Sequence, residues 1–183
     1  LYSSKVSAII FGVLIIPFYG KLTDEIVFGQ ISLSLTLVAM CLMFDFGIAT
    51  VVARRLALKN KFDLSELLSG LAALGFVYSS FAIILTLVCL VIGFEISLLH
   101  ITVWGYIFLF VANNIIFMSL SAVRSYSLAS LHLTLGLVLR ASMTLFLITY
   151  FEASIENFSL GMLLAGLLQS VLSIVLVTLR MDL

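Results

Sequence analysis

The stretch Leu67-Leu68-Ser69-Gly70-Leu71-Ala72-Ala73-Leu74-Gly75-Phe76-Val77-Tyr78-Ser79-Ser80-Phe81-Ala82-Ile83-Ile84-Leu85-Thr86-Leu87-Val88-Cys89-Leu90-Val91-Ile92 carries no charged side chain. A bilayer's hydrocarbon core is about 30 Å thick and takes roughly 20 helical residues to cross. So long a run without a carboxylate, lysine or arginine predicts a membrane-spanning helix over about Leu67–Ile92. Toward the N-terminus, Arg54, Arg55, Lys59 and Lys61 close a second apolar run over about Ile26–Val52. A short polar turn, Tyr19 to Glu25, separates it from a first run over about Val6–Phe18, which Pro17 is expected to end. Toward the C-terminus, apolar runs cover about Ile101–Val123, Leu131–Phe151 and Phe158–Leu179. They give way to Arg124, to Glu152 and Glu156, and to Arg180. The expected fold is all-α: a polytopic membrane protein with a six-transmembrane-helix bundle and no gap wide enough for a soluble domain.

Composition points the same way. Hydrophobic residues make up 63% of the 183-residue chain and charged residues 10%, against roughly 25% charged in a typical soluble domain. A net charge of zero gives no pull toward nucleic acid. Cys41 and Cys89 lie inside apolar runs without metal spacing, which fits two structural thiols rather than a disulfide or a catalytic pair. No basic segment with a small-residue cleavage site precedes the first run, so Leu1–Phe18 reads as a cut transmembrane helix rather than a signal peptide.

Lysine and arginine set the expected orientation. Alternate ends of the spans carry Lys5, then Arg54, Arg55, Lys59 and Lys61, then Arg124, then Arg180. The opposite ends carry only Lys21, beside Asp24, Glu25, Glu95, Glu152 and Glu156. The positive-inside rule then places both ends of this segment in the cytoplasm.

Ionisable groups inside a span are costly, so each asks for a reason. Asp45 stands nine residues before Arg54, Asn113 and Asn114 eleven and ten before Arg124, and Gln169 eleven before Arg180. Arg140 stands eight past His132, near the start of the fifth span. At about 1.5 Å per residue, all five fall roughly 12–17 Å from the cytoplasmic edge, close to the midplane. Two readings stand. In one, the five line a water-accessible cavity, with Arg140 as an anion contact and Asp45 as its counter-charge or a proton site. In the other, Asp45 and Arg140 form a structural pair and the amides make interhelical hydrogen bonds worth about 0.5–2 kcal/mol each.

Other residues read more simply. His132 and His100 are expected near interfaces, solvated or capping. Arg54, Arg55, Lys59 and Lys61 serve as topology anchors, with anionic lipid headgroups as a second partner. Gly161 with Ala165, and Gly166 with Ser170, mark close helix packing. Tyr19, Tyr106, Tyr150 and Trp104 have the places of an interfacial belt. No phosphate-cradling glycine loop, loop-borne carboxylate pair or Ser/His/Asp set is present. No enzyme, cofactor or metal is therefore implied.

The segment Ile16-Pro17-Phe18-Tyr19-Gly20-Lys21-Leu22-Thr23-Asp24-Glu25-Ile26-Val27-Phe28-Gly29 continues through Leu33 and Leu35 to Phe44-Asp45-Phe46-Gly47-Ile48-Ala49 and Arg54-Arg55-Leu56-Ala57. Together these resemble the N-terminal signature of bacterial polysaccharide-type (Wzx-like O-antigen) flippases, in the multidrug/oligosaccharidyl-lipid/polysaccharide exporter superfamily. The signature residues are Pro17, Gly20, Gly29, Asp45, Gly47 and Arg54. The match covers about the first third of the chain; beyond it the agreement is in hydropathy and an arginine-bearing fifth helix.

The resemblance implies one lobe of a two-lobe exporter, with a second bundle of about six helices around a shared cavity and outside this sequence. It implies alternating-access transport of undecaprenyl-pyrophosphate-linked oligosaccharide or O-antigen repeat units across the bacterial inner membrane. Membrane lipids and other polysaccharide-assembly proteins are the implied partners. A drug/cation exporter or a peptidoglycan-precursor flippase of the same superfamily is the alternative. So, from a different class, is a membrane-embedded polymerase or acyltransferase, though the large loop such enzymes usually carry is absent.

Overall fold

A computed structural model describes residues 15–43, 47–59, 61–93 and 98–181. The chain is all-helical over these residues: α1 (15–22), α2 (Glu25–Met43), α3 (Ile48–Lys59), α4 (Leu64–Ile92), α5 (Leu98–Ala122), α6 (Tyr126–Tyr150) and α7 (Ile155–Met181). Four of them, α4 to α7, are long and apolar enough to cross a membrane, and α2 is apolar but shorter.

The helix ends follow from local chemistry. Asp24 accepts the Val27 N–H at 2.8 Å and starts α2, while Asp63 accepts the Ser65 N–H at 2.9 Å and starts α4. Each satisfies an N–H that has no partner within its helix. Gly93, at φ +76°, closes α4 by giving its N–H to the carbonyls of Cys89 and Leu90, a left-handed geometry that glycine adopts without a side-chain clash. Arg124 takes the equivalent place after α5 at φ +59°. There the Arg124 N–H donates to Ser121 O at 3.1 Å and the Ser125 N–H to Leu120 O at 3.0 Å, the paired bonds of a Schellman turn.

Two expectations change. The run over 26–52 is not one helix: α2 ends at Met43 and α3 starts at Ile48, just after Gly47 at φ +72°. Nor does the first helix stop at Pro17. It continues to Leu22, and the Thr23 N–H still bonds to Tyr19 O at 3.0 Å.

α5 is the hub, packing against α2, α3, α4, α6 and α7. Val111, Ile115 and Leu120 on α5 are fully buried, beside Leu56 of α3, Leu74 of α4 and Phe158 of α7. Among the described residues from Glu25 onward, α4 packs against α3 and α5, and Phe76, Ile83, Ile84, Leu87, Val91 and Ile92 face outward along it. In lipid, apolar burial alone does not pull helices together, so close packing and interhelical hydrogen bonds must. The seam between α6 and α7 shows both. A Cβ on Gly161 would lie 2.8 Å from Thr144 Cα, and one on Gly136 would overlap the Gln169 amide. A Cβ on Gly166 would lie 3.1 Å from the Leu109 side chain of α5.

Candidate functional site

Three helices bring a set of polar side chains together. α6 begins at Tyr126, so His132 is already six residues, about 9 Å, along it. It is 2% exposed, which corrects its expected place at the interface. Its Nδ1 lies 3.1 Å from Ser173 Oγ of α7, and its Nε2 lies 3.1 Å from Asn113 O of α5 and 3.2 Å from Gln169 Nε2 of α7. Asn113 extends the set. Its Nδ2 donates to Leu109 O at 2.8 Å and to Ser170 Oγ at 3.1 Å, and its Oδ1 accepts from Ser173 Oγ at 3.1 Å. Asn113, Gln169, His132 and Ser173 are all buried. The backbone permits this because Gly136, one turn after His132, leaves room for the Gln169 amide.

Arg140 lies two turns beyond His132 and near the middle of α6. It does not join the layer expected of it. Its Nε donates to Gly136 O at 3.0 Å, and its guanidinium carbon lies 4.2 Å from the centroid of the Phe110 ring of α5. Arg140 is half-buried, and among the described residues no carboxylate pairs with it. One turn further, Thr144 Oγ1 donates to Arg140 O at 2.7 Å and meets the Tyr19 hydroxyl of α1 at 2.5 Å. An arginine cannot discharge itself by losing its proton, and its planar fork suits carboxylate or phosphate oxygens. A half-buried guanidinium held flat by a ring and a carbonyl is therefore fit to meet an anion.

The remaining expected residues are distributed as follows. Asp45 lies outside the described residues, as do Lys5 and Glu95. Asn114 is half-buried and joins none of these hydrogen bonds. Tyr19 and Tyr106 are 4% and 2% exposed rather than interfacial: Tyr19 packs edge-on against Phe158, and the Tyr106 hydroxyl bonds to Ser34 of α2. Both point their rings into helix seams, where a partner hydroxyl satisfies the phenol. Tyr150, by contrast, is exposed. Of the signature residues, Gly20 is placed so that an added Cβ would lie 3.5 Å from the Phe28 ring, one added at Gly29 would meet nothing within 4 Å, and Arg54 is exposed.

At the other end of α3, Lys59 Nζ reaches Asp63 Oδ2 at 2.7 Å and Glu66 Oε1 at 2.9 Å, while Arg55 Nη1 reaches Glu66 Oε2 at 3.3 Å. The Lys59 ammonium, followed by the Ser65 hydroxyl and N–H, holds the Asp63 carboxyl well below the usual carboxylate range. The same contacts, led by Asp63, push the Lys59 amine up. Two of the four basic anchors are thus tied to α4 by ion pairs.

Sequence reasoning missed His132 and Ser173. The available signal was Ser125, a helix-starting residue six positions before the first expected residue of the span. Compared with family models, curated proteins and solved structures, the chain matches none of them.

Proposed function

We propose that this chain is the first lobe of an exporter that turns undecaprenyl-pyrophosphate-linked oligosaccharide units across the bacterial inner membrane, with both ends of the segment in the cytoplasm. The observation that carries the reading is Arg140: a guanidinium near the middle of α6, seated on Phe110 and without a carboxylate partner among the described residues. A pyrophosphate headgroup loses its water when it enters a low-dielectric passage, and a fixed guanidinium offsets part of that cost with charge-assisted hydrogen bonds. Rocking one lobe against another around a midplane site exposes that site to each leaflet in turn. The resemblance of residues 16–57 to polysaccharide-type flippases supports the same class of cargo. It also supports surface-polysaccharide biosynthesis as the setting, with other assembly proteins as neighbours.

The test is complementation of surface-polysaccharide display in the intact protein. Arg140→Ala is expected to abolish display at normal protein level. Arg140→Lys keeps the charge but loses the planar fork, and is expected to restore display only in part. Full display from both variants rejects the anion contact.

A further inference from the structure

We propose that the end of the bundle away from the basic residues of α3 holds one diacyl phospholipid, its two chains seated on either side of His100 and Trp104. The proposal stands apart from the transport reading and makes no use of Arg140.

α2 and α4 each pack against α5, and among the described residues they do not touch one another. Between them α5 presents His100 and Trp104, and a cleft runs along each side of that pair. The cleft toward α2 has a volume of about 310 Å³, walled by Leu33 and Leu37 of α2 and Val103 of α5. The cleft toward α4 has a volume of about 200 Å³, walled by Leu85 of α4 and Ile101 of α5. A dry apolar cavity of about 150 Å³ takes a benzene ring, so each has room for a run of methylenes. Leu33, Leu37, Leu85 and Ile101 are all exposed. Both clefts therefore open onto the apolar perimeter that a membrane-spanning bundle turns toward lipid.

Each cleft has a polar group of its own, the Gln30 amide on α2 and the Thr86 hydroxyl on α4. Neither of these, nor the Trp104 indole N–H between them, makes a hydrogen bond among the described residues. The Ser34 hydroxyl, by contrast, is taken by Tyr106. The indole is held edge-on by Tyr78 of α4, with ring centroids 6.5 Å apart, and Tyr78 by Phe108 of α5 at 6.0 Å. An indole N–H only donates, so its ligand must bring an acceptor. No lysine, arginine or carboxylate lines either cleft, so neither suits a charged group. Gln30 and Trp104 are the sixth and seventh residues of α2 and α5, about 7–9 Å from the helix starts. That depth borders the hydrocarbon, where phospholipid ester carbonyls lie. A diacyl lipid brings two esters and two chains, one of each for either cleft. Gln30 and Thr86 donate to the esters, with Trp104 between them. A chain moving from the bilayer into a protein cleft gains no hydrophobic free energy, because lipid is as apolar as leucine. Close packing and the hydrogen bonds to the esters are what retain it. The lipid in turn keeps α2 and α4 apart at this end.

The test uses the intact protein in nanodiscs of phosphatidylethanolamine and phosphatidylglycerol. Trp104 is the one tryptophan in this chain, and Trp104→Phe subtracts the signal of any outside it. Phospholipids brominated midway along the acyl chain are expected to quench its fluorescence strongly. Val103→Phe with Ala82→Phe fills both clefts and is expected to reduce that quenching about twofold. Quenching that the filled variant leaves unchanged shows ordinary bilayer lipid and overturns the site. Quenching by aqueous acrylamide instead shows water in the clefts, and quenching by neither shows protein covering them; both overturn it. Native mass spectrometry tests the site without the filled variant. The wild type is expected to retain one diacyl lipid more than Gln30→Leu with Trp104→Phe, which keeps the walls apolar and removes two donors. Equal retention by the two proteins, or an isoprenoid mass as the one lost, overturns the proposal.

Discussion

The guanidinium of Arg140 lies over the face of the Phe110 ring, 4.2 Å from its centroid and on the neighbouring helix. An aromatic face attracts a cation by about 0.5–2 kcal/mol, more as water is withdrawn. The ring therefore fixes where the charge sits without neutralising it, which a carboxylate would do. Phe110→Leu keeps much of the apolar volume and removes the π face. A double-mutant cycle of Phe110→Leu with Arg140→Gln, followed by thermal denaturation in detergent, should give a coupling of about 0.5–2 kcal/mol. Additive effects of the two changes would show that the ring is only a neighbour.

Gly161 and Gly29 make opposite predictions from the same substitution. A Cβ on Gly161 would meet Thr144 Cα at 2.8 Å and Thr144 N at 3.0 Å, and backbone cannot rotate out of the way. Gly161→Ala should force α6 and α7 apart, strain the Tyr19–Thr144 hydrogen bond and cost about 1–3 kcal/mol. Gly29 has nothing within 4 Å of its would-be Cβ, so Gly29→Ala should stabilise α2 by about 0.5–1 kcal/mol. Melting temperatures of the two variants should move in opposite directions; equal losses would contradict the packing described here.

These particulars show which parts of the structure the amino-acid pattern carries. α4 to α7 answer to uninterrupted apolar runs, because a helix is the simplest way to satisfy a backbone in lipid. Hydropathy has no term for backbone handedness, so the run over 26–52 reads as continuous although Gly47 turns to positive φ inside it. Depth is also blurred. Tyr126, Ser127 and Ser130 make the start of α6 look like loop, which pushes His132 to the edge on paper. The helix begins at Tyr126 and carries His132 into the seam. That Asn113 and Gln169 share a level follows from counting residues, but that Arg140 turns away to Phe110 depends on side-chain direction, which spacing does not record.

The ion pairs between α3 and α4 should make their connecting turn sensitive to pH at both extremes. Asp63 has a folded-state value below its unfolded one, so its contribution is present above about pH 4 and is lost as pH falls further. Lys59 is shifted upward, so its contribution is full below about pH 10 and is lost as pH rises through the folded value. Protease nicking of the α3–α4 turn should therefore be flat through the neutral range and rise at either end. Asp63→Asn keeps a good helix cap while removing the charge. It should raise nicking at neutral pH and shrink the acid-side rise to the part that Glu66 supplies through Lys59 and Arg55. Raised salt should mimic it, since exposed pairs are screened.

Asn113 and Ser173 give the last expectation, and it bears on how the three-helix seam holds. The Asn113 Oδ1 accepts from Ser173 Oγ at 3.1 Å while its Nδ2 reaches Ser170 Oγ at 3.1 Å, so one α5 amide grips two successive turns of α7. Interhelical hydrogen bonds in lipid average about 0.6 kcal/mol and reach about 1.7, because a separated helix still finds other partners. Asn113→Ala removes both grips; Ser173→Ala removes one and also the neighbour of His132 Nδ1. Their cycle, read by thermal denaturation in nanodiscs, should show a coupling of about 0.5–1.5 kcal/mol. Ser170→Ala should couple more strongly, because the Ser170 oxygen accepts from Asn113 while its hydrogen goes to Gly166 O at 2.9 Å, whereas the single Ser173 hydrogen is shared between Asn113 Oδ1 and Gln169 O at 2.7 Å. Equal coupling at the two serines would mean that Asn113 merely fills space between α5 and α7. The difference between them is what a directional amide, rather than apolar packing, would produce.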